Sequence, residues 1–514
     1  MSSILTNTSA MVALQTLRGV NADLAQTQSE ISTGKTINTA KDNSAIWAIS
    51  KVMESDVYGF MAISDSLNLG DSTISVARQA SETVSDLLTD MKGKIVAAQE
   101  ENVDRTKIQV DIDALKDQIN SIVETAQFNG LNLVKGAEDA NILGSLARGA
   151  DGQVTANEIT VSRQDLTSAA GTVGPTSRAL ATIVDASDAT TGSLNADGNT
   201  AVLTLASNAD YAAANATLGL TIGGVATSFA AGDLTGDQDN AAGQVAARIN
   251  ALNIDGISAS ATGAAITITS TRSFDTANVT IDAESGVTGQ QVTEVNGGAV
   301  TNGVGTTSVI DERAENLTFN SAVPVQDGEG FEVSFGGETY RYIAGPNENF
   351  EDVAKGLQAA IGGGTIDGIT TRLEQDETSG NFILKIDNAS ANATELLVVG
   401  TEGGTASGGL FGLETLNVES STSAGNALNT IESLIDVAID AAASFGSVQG
   451  RIELQAEFVL NLTDSLKAGI GSLVDADMEA ASARLQALQV QQQLGIQSLS
   501  IANQQPQSIL TLFR

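Results

Sequence analysis

The sequence predicts an α+β protein. Long antiparallel coiled-coil-like helices come from both chain ends, and two β-rich ββαββ-type outer domains are inserted in the middle. Three observations carry this prediction. Glycine is uneven: residues 1–130 hold six of the 51 glycines and residues 421–514 hold six, and no proline precedes Pro175. Glycine and proline punctuate regular structure, so the ends read as helical and the middle as turn-rich. Both ends carry apolar residues at alternating spacings of three and four, and the middle holds two similar segments about 113 residues apart.

The first stripe runs Leu14, Leu17, Asn21, Leu24, Gln28, Ile31 and stops at Ser32-Thr33-Gly34-Lys35. The second starts at Ile46 and continues through Ile49, Met53, Asp56, Phe60, Ile63, Leu67, Gly70, Ile74, Ala77, Ser81, Val84, Leu88, Met91, Ile95 and Ala98. Thirteen of these sixteen positions are apolar, the pattern of a coiled-coil seam. At 1.5 Å per residue it makes a rod of about 80 Å. After a break near 99–104 a third stripe runs Ile108, Ile112, Leu115, Ile119, Ile122, Ala126, ended by the turn Phe128-Asn129-Gly130. The C-terminal end mirrors this with Leu428, Ile431, Ile435, Ala438, Ala442, Phe445, Gln449, Ile452, Ala456 and Val459. A turn at Asp475-Ala-Asp477 then precedes Met478, Ala481, Leu485, Leu488, Gln492, Gly495, Leu499 and Ala502. Matching stripes at both ends most simply pack together, which makes the middle an insertion.

Each copy of the central repeat reads as a hairpin around Gly-Gly, a helix and a second hairpin. The first has strands 217–222 and 225–229 about Gly223-Gly224, a helix Ala241–Leu252 with Val245, Ile249 and Leu252 on one face, and strands 257–261 and 266–270. The second has strands 331–335 and 338–343 about Gly336-Gly337, a helix 350–361, and strands 369–373 and 382–386.

Composition excludes much chemistry. The chain has no Cys and no His, which removes thiolate nucleophiles, disulfides, His-based triads and the common zinc sites. Its 62 acidic against 25 basic side chains give a formal charge of −37, which does not read as a nucleic-acid binder. No run of about 18 apolar residues predicts membrane insertion, and Met1–Ala10 lacks the basic region of a cleaved signal peptide. Asp233, Asp237, Asp239 and Asn240 have calcium-like spacing without the full loop pattern, and they precede a helix, where such side chains cap free N–H groups. Asn195–Asp197 and Asp327-Gly-Glu329 read as turns, and Gly362-Gly363-Gly364 as a helix end. Asn7-Thr-Ser9 fits a glycosylation sequon. No catalytic, metal or cofactor residues are assigned.

A seam of this kind is usually an intramolecular core; the sharper reading is that part of it pairs with other chains. The stretches 1–34 and 477–514 are long and poor in aromatics. The Gln-rich face Gln486, Gln489, Gln491, Gln492, Gln493 suits close polar packing between helices.

At Ile31-Ser-Thr-Gly-Lys-Thr-Ile-Asn-Thr-Ala-Lys-Asp42-Asn-Ser-Ala45 the chain resembles the bacterial flagellin pattern L-S-S-G-x-x-I-N-S-A-x-D-D-A-A. Phe128-Asn-Gly130 matches the family's F-N-G, and Ala502 to Arg514 resembles A-N-Q-x-P-Q-x-V-L-x-L-L-R. The likeness covers about 1–165 and 421–514. Ala247-Arg-Ile-Asn250 with Gly256-Ile-Ser-Ala-Ser260 and Ile266-Thr-Ile268 resembles the family's insertion motif; the second copy departs from it at Ala360-Ile361-Gly362.

The resemblance implies a structural, non-enzymatic subunit that self-assembles with other copies into the extracellular flagellar filament. It implies terminal helices (1–45 and 461–514) packed through Leu14, Leu17, Leu24, Ile31, Leu485, Leu488, Leu499, Ile509 and Leu510. It implies a spoke domain (46–175 and 421–460) with a β-hairpin and a seam of Ile63, Leu67, Ile74, Val84, Leu88, Met91 and Ile95. The outer domains are expected at 176–310 and 311–420. Implied partners are an export chaperone, the filament cap and hook-junction proteins, with export that needs no cleaved signal. Family members that trigger the vertebrate flagellin receptor carry Q-R-x-R-E-L; here Thr89, Asp90, Lys92, Gly93 and Lys94 stand in that stretch. The alternatives are a hook–filament junction protein and an adhesin using the outer repeats.

Overall fold

The computed structural model describes residues 7–136, 138–149, 153–178, 192–194, 196–206, 217–230, 232–282, 289–346, 348–390 and 392–512. In chain order come the helices α1 (Thr8–Thr33), α2 (Ser44–Ala98) and α3 (Arg105–Thr125). A short hairpin of β1 (Gln127–Phe128) and β2 (Leu131–Asn132) and a longer one of β3 (Ala140–Arg148) and β4 (Val154–Val161) follow. After the β-rich middle, α6 (Ser421–Val474) and α7 (Met478–Leu512) complete the chain. The chain divides into two compact units, one of Met1–Ser72, Ala140–Val161 and Ser447–Arg514, the other of Thr73–Asp139 and Ser162–Gly446. Both α2 and α6 contribute to each, so the division does not coincide with the expected boundaries at 45/46 and 460/461.

In the first unit the helix ends are capped as their sequences dictate. Asn7 accepts from the Ala10 N–H at the start of α1, and Gly34 ends it in the left-handed region at φ 71°. Asp477 accepts from the N–H groups of Glu479 and Ala480 at the start of α7. The β3–β4 hairpin lies on α2. A Cβ on Gly70 would stand 2.5 Å from Ile142 Cδ1, which explains a glycine in the seam.

The second unit holds two lobes. The first contains β7 (Asn199–Thr204), β8 (Leu218–Ile222), β9 (Val225–Phe229), α4 (Gln238–Ala251), β10 (Ile257–Thr262), β11 (Ala265–Ser270), β12 (Ala277–Ile281), β13 (Gln291–Val295), β14 (Gly298–Asn302) and β15 (Thr307–Ile310). They form two antiparallel sheets, β10-β11-β7-β13-β14 and β15-β12-β8-β9, closed over Leu203, Leu220, Val245, Ile249, Ile268 and Val279. The second lobe contains β16 (Glu315–Phe319), β17 (Gly330–Phe335), β18 (Glu338–Ile343), α5 (Phe350–Gly362), β19 (Ile369–Gln375), β20 (Phe382–Asn388) and β21 (Thr394–Glu402). Its core is aromatic: Phe319 stacks on Phe350 at 5.7 Å, and Phe331 meets both edge-on.

The repeat is longer than ββαββ. In each lobe a preceding strand pairs with the second strand after the helix (β7 with β11, β16 with β20). A following strand pairs with the first strand of the Gly-Gly hairpin (β12 with β8, β21 with β17). The two hairpins of a copy therefore lie in different sheets. Both Gly-Gly turns have positive φ at each position, the two-residue form that matches strand twist. The outer strands were not predicted, because their partners lie far away in sequence. Asn250 bonds the backbone of Ala259 in both directions at 2.8 Å, docking β10 on α4. The second copy lacks that asparagine at its helix end. There Asn426 and Asn429 of α6 donate to the carbonyls of Ile369 and Thr371 instead.

Several sequence expectations need correction. β5 (Thr176–Arg178) and β6 (Gly192–Leu194) pair with β21 of the second lobe, and Leu194 lies in its core, so these two strands belong with the second lobe although they fall inside the span expected for the first. Strand edges, not sequence proximity, decided that pairing. On α2, Ile49 is 54% exposed, whereas Ser50 and Val57 turn inward. On α6 the inward residue is Leu434 rather than Ile435. Adjacent apolar residues leave the seam phase ambiguous by one position. On α3, Lys116 and Val123 are buried in place of Leu115 and Ile122. Burying Lys116 is tolerated because its ammonium meets Asp113 and the carbonyls of Glu414 and Leu416.

Candidate assembly surface

The terminal helices α1 and α7 run antiparallel within the first unit. Asn7 Nδ2 donates to the Ala502 carbonyl at 2.8 Å at one end, and Thr36 N–H donates to the Val474 carbonyl at 2.7 Å near the other. Asn7 is thus both cap and inter-helix tie. Ala476 N–H donates to the Gly34 carbonyl at 2.9 Å, so the loop after α1 pairs with the turn before α7. Between these ends, Gln492 Nε2 donates to Asn21 Oδ1 at 2.7 Å, and Leu17 fits over Gly495, whose absent Cβ would lie 3.1 Å from it. This polar pair sits at the solvent-exposed edge of the seam, where it ties the two helices together while both groups stay within reach of water. Both residues were visible as interruptions of the stripes; that they face each other was not.

Of the anticipated packing residues, Leu488 is buried; Leu17, Leu24, Ile31, Leu485 and Leu499 are half-buried; Leu14 is exposed. Ile509 and Leu510 lie on α7, and their side chains fall outside the described residues. The spoke-helix residues Ile63, Leu67, Ile74, Val84, Leu88, Met91 and Ile95 are all fully buried.

What the stripes did not reveal is how many apolar residues beside the seam stay uncovered. Val12, Val490, Leu494, Ile496 and Ile501 on α1 and α7 stand exposed, as do Val52, Leu454, Phe458 and Leu460 on α2 and α6. Leu454 is 70% and Ile501 66% exposed. An open groove of about 810 Å³ between α1 and α7 is lined by Val12, Val20, Leu494 and Ile501. Apolar side chains in such numbers on one set of helices mark a surface that another molecule covers. Each full burial of a Leu, Ile or Phe contributes about 1.5–3 kcal/mol.

The anticipated receptor stretch lies on α2 in the second unit. Thr89 and Asp90 are exposed; Lys92 pairs with Glu432 at 2.5 Å and Lys94 with Asp111 at 2.7 Å. Gly93 faces open space. In the outer lobes, Asp237 caps α4 by accepting from the Asn240 N–H, and Asp233 accepts from the Ala230 N–H. Glu329 is buried and pairs with Arg178 at 2.5 Å. Gly363 and Gly364 close α5 by donating to Ala359 and Ile361. Asn195 lies outside the described residues. Among the described residues no group of three His, Cys, Asp or Glu could hold a metal, and no helix is long and apolar enough to cross a membrane.

The family model for the bacterial flagellin N-terminal helical region matches residues 4–139, and that for the C-terminal helical region matches 428–513. Flagellin A and Flagellin B of Rhizobium meliloti are each 30% identical to the chain, over all of both chains. The flagellar hook associated protein-3 of Legionella pneumophila is a distant structural neighbour, at 11% identity and a TM-score of 0.32 over 82% of this chain and 98% of that one. Paired terminal helices, a β-rich insertion and likeness along the whole length agree: the chain belongs to the bacterial flagellin family.

Proposed function

We propose that this flagellin, a structural subunit that self-assembles into the extracellular flagellar filament of swimming bacteria, polymerises by burying the exposed aliphatic faces of α1, α7 and the adjoining parts of α2 and α6 against other copies. One observation carries this reading: the α1–α7 seam is only partly buried within the chain, and further aliphatic side chains of these helices remain in water. The test replaces exposed rather than seam residues. Leu494→Asp with Ile501→Asp should abolish sedimentable filaments, because an unpaired buried charge costs several kcal/mol. Unfolding of the outer lobes should be unchanged. Normal filaments from the double variant would overturn the assignment.

We assign α7, with its exposed Val490, Leu494 and Ile496, to an export chaperone before assembly, and the chain ends to cap and hook-junction proteins. Export that leaves the N-terminus uncleaved belongs to the same reading. The junction-protein and adhesin readings have no specific observation in their favour.

We also propose weak activation of the vertebrate flagellin receptor. Asp90 presents a carboxylate where responsive members present a guanidinium, and Lys92 and Lys94 are engaged with Glu432 and Asp111. Arginine donates through a rigid planar fork that Asp cannot reproduce. Losing such a charge contact typically costs about 2–5 kcal/mol, or roughly 30- to several-thousand-fold in affinity. A reporter assay should show little response to the monomer and a gain with Thr89→Gln, Asp90→Arg, Lys92→Arg, Gly93→Glu and Lys94→Leu together. Signalling at sub-nanomolar concentration by the unchanged protein would refute it.

A further inference from the structure

Within the second unit a cavity of about 330 Å³ lies between the second lobe and α6. Its walls come from β18 and α5, the segment 163–166, residues 406–411 and the α6 face around Leu434 and Val437. Tyr342 is fixed against it. Its ring packs where a Cβ on Gly356 would come within 2.2 Å, and Phe411 covers it at 5.6 Å. The held hydroxyl reaches both carboxylate oxygens of Glu348 at 3.0 Å.

Glu348 has no cation partner among the described residues. Asp352 on α5 and Asp327 in the turn before β17 act on it most directly; Asp165 of the 163–166 segment and Asp440 on α6 share the cavity wall, and Glu351 on α5 and Asp436 on α6 lie beyond, around Lys355. Neither nearby cation pairs with it, although Arg163 Nε is buried without a hydrogen-bond partner. Lys355 pairs with Glu351 at 2.9 Å and approaches Asp436 at 3.6 Å, and Arg163 Nη1 donates to the Lys135 carbonyl at 3.2 Å. A half-buried carboxylate among carboxylates holds its proton to higher pH than a free one, because ionising it adds like charge in a poorly solvated place.

We propose that Glu348 is a pH-operated latch: neutral, it stays seated under Tyr342 and holds the start of α5 in place; ionised, it leaves for water and lets that end of the lobe open. The start of α5 is built to respond. Asn349, the residue next to Glu348, caps the helix and Asp352 closes its capping box, so a moving Glu348 pulls directly on the cap.

Burial is the chief cause of a Glu348 pKa raised to about 7, with Asp352 and Asp327 adding to it and the hydroxyl of Tyr342 and a backbone hydrogen bond at Gly345 opposing it. The folded value lies above the ordinary glutamate value, so closure is favoured at low pH and is lost as pH rises through about 7. Linkage between an ordinary open-state glutamate and this closed state gives roughly a 30-fold rise in opening between pH 5.5 and 8.5.

The experiment is hydrogen exchange of the monomer across that range, corrected for intrinsic amide rates. Peptides from 348–356 should lose protection about 30-fold with a midpoint near 7, while peptides from α4 stay level. Glu348→Gln keeps shape and neutrality and should flatten the profile. Tyr342→Phe removes a donor to the charged form and should move the midpoint upward. A flat profile in the unchanged protein, the same slope in Glu348→Gln, or an unmoved midpoint in Tyr342→Phe would each overturn the latch. Assembly plays no part in the measurement, so it stands or falls apart from the filament reading.

Discussion

The terminal helices and the outer lobes use apolar residues in opposite ways. In the lobes the cores are closed: Phe319, Phe331 and Phe335, with Leu203, Ile222 and Ile268, are almost wholly hidden, and two sheets with a helix cover each core. On α1 and α7 burial stops halfway, with Leu488 and Ala481 inside while Leu494, Ile496 and Ile501 remain in water. The same residue types thus give a finished fold in one place and an unfinished one in the other. A lobe can be stable alone; on the proposed reading the terminal helices reach full burial only against other copies, which would tie their stability to concentration.

This contrast can be broken by three measurements. Phe331→Ala removes a ring from the three-ring cluster of the second lobe and should cost about 3–5 kcal/mol in that lobe's unfolding. Filaments should still form from protein kept below the new transition. Loss of assembly with a folded second lobe would show that the two regions are not independent. Next, Asn7→Ala removes the α1 cap and its tie to Ala502, and should cost about 1 kcal/mol, visible as earlier loss of terminal helicity in the monomer. If the outer lobes melted earlier instead, the contrast would be wrong. The smallest effect is expected from excising the first lobe. Asn199 Nδ2 donates to the carbonyls of Asp311 and Glu312 at 3.3 and 2.7 Å, so the ends of the insertion lie side by side. Insertions with adjacent ends are separable. Joining 198 to 312 through a short glycine linker should leave filament yield unchanged; failure to assemble would give the lobe a role beyond decoration.

One contact resists this modular view. Arg313, just after the first lobe, makes a two-point bond to buried Asp387 of β20 at 2.8 Å on each arm, and Lys385 joins Glu312 at 2.8 Å. The excision above keeps 312–313 so that Asp387 is not left as an uncompensated buried charge.

The sequence by itself determined the elements that depend on near neighbours. Alternating spacings of three and four placed α1, α2, α3, α6 and α7, because a helix face is written within each turn. Gly-Gly pairs placed the hairpins β8–β9 and β17–β18, because only residues free at positive φ close them. Asp104, Asp237 and Asp477 stand where helices begin, because a short acceptor beside free N–H groups is a local matter. Tertiary structure alone decided what depends on distance. It set the phase of the seam where two apolar residues adjoin, as at Leu434 and Ile435. It gave β5 and β6 to a lobe more than a hundred residues away, and matched Asn21 to Gln492. It buried Lys116 by bringing Glu414 and Leu416 to it. It also left Leu454 and Ile501 in water, because a seam pattern records which residues can be buried, while packing fixes which of them a single chain is able to cover.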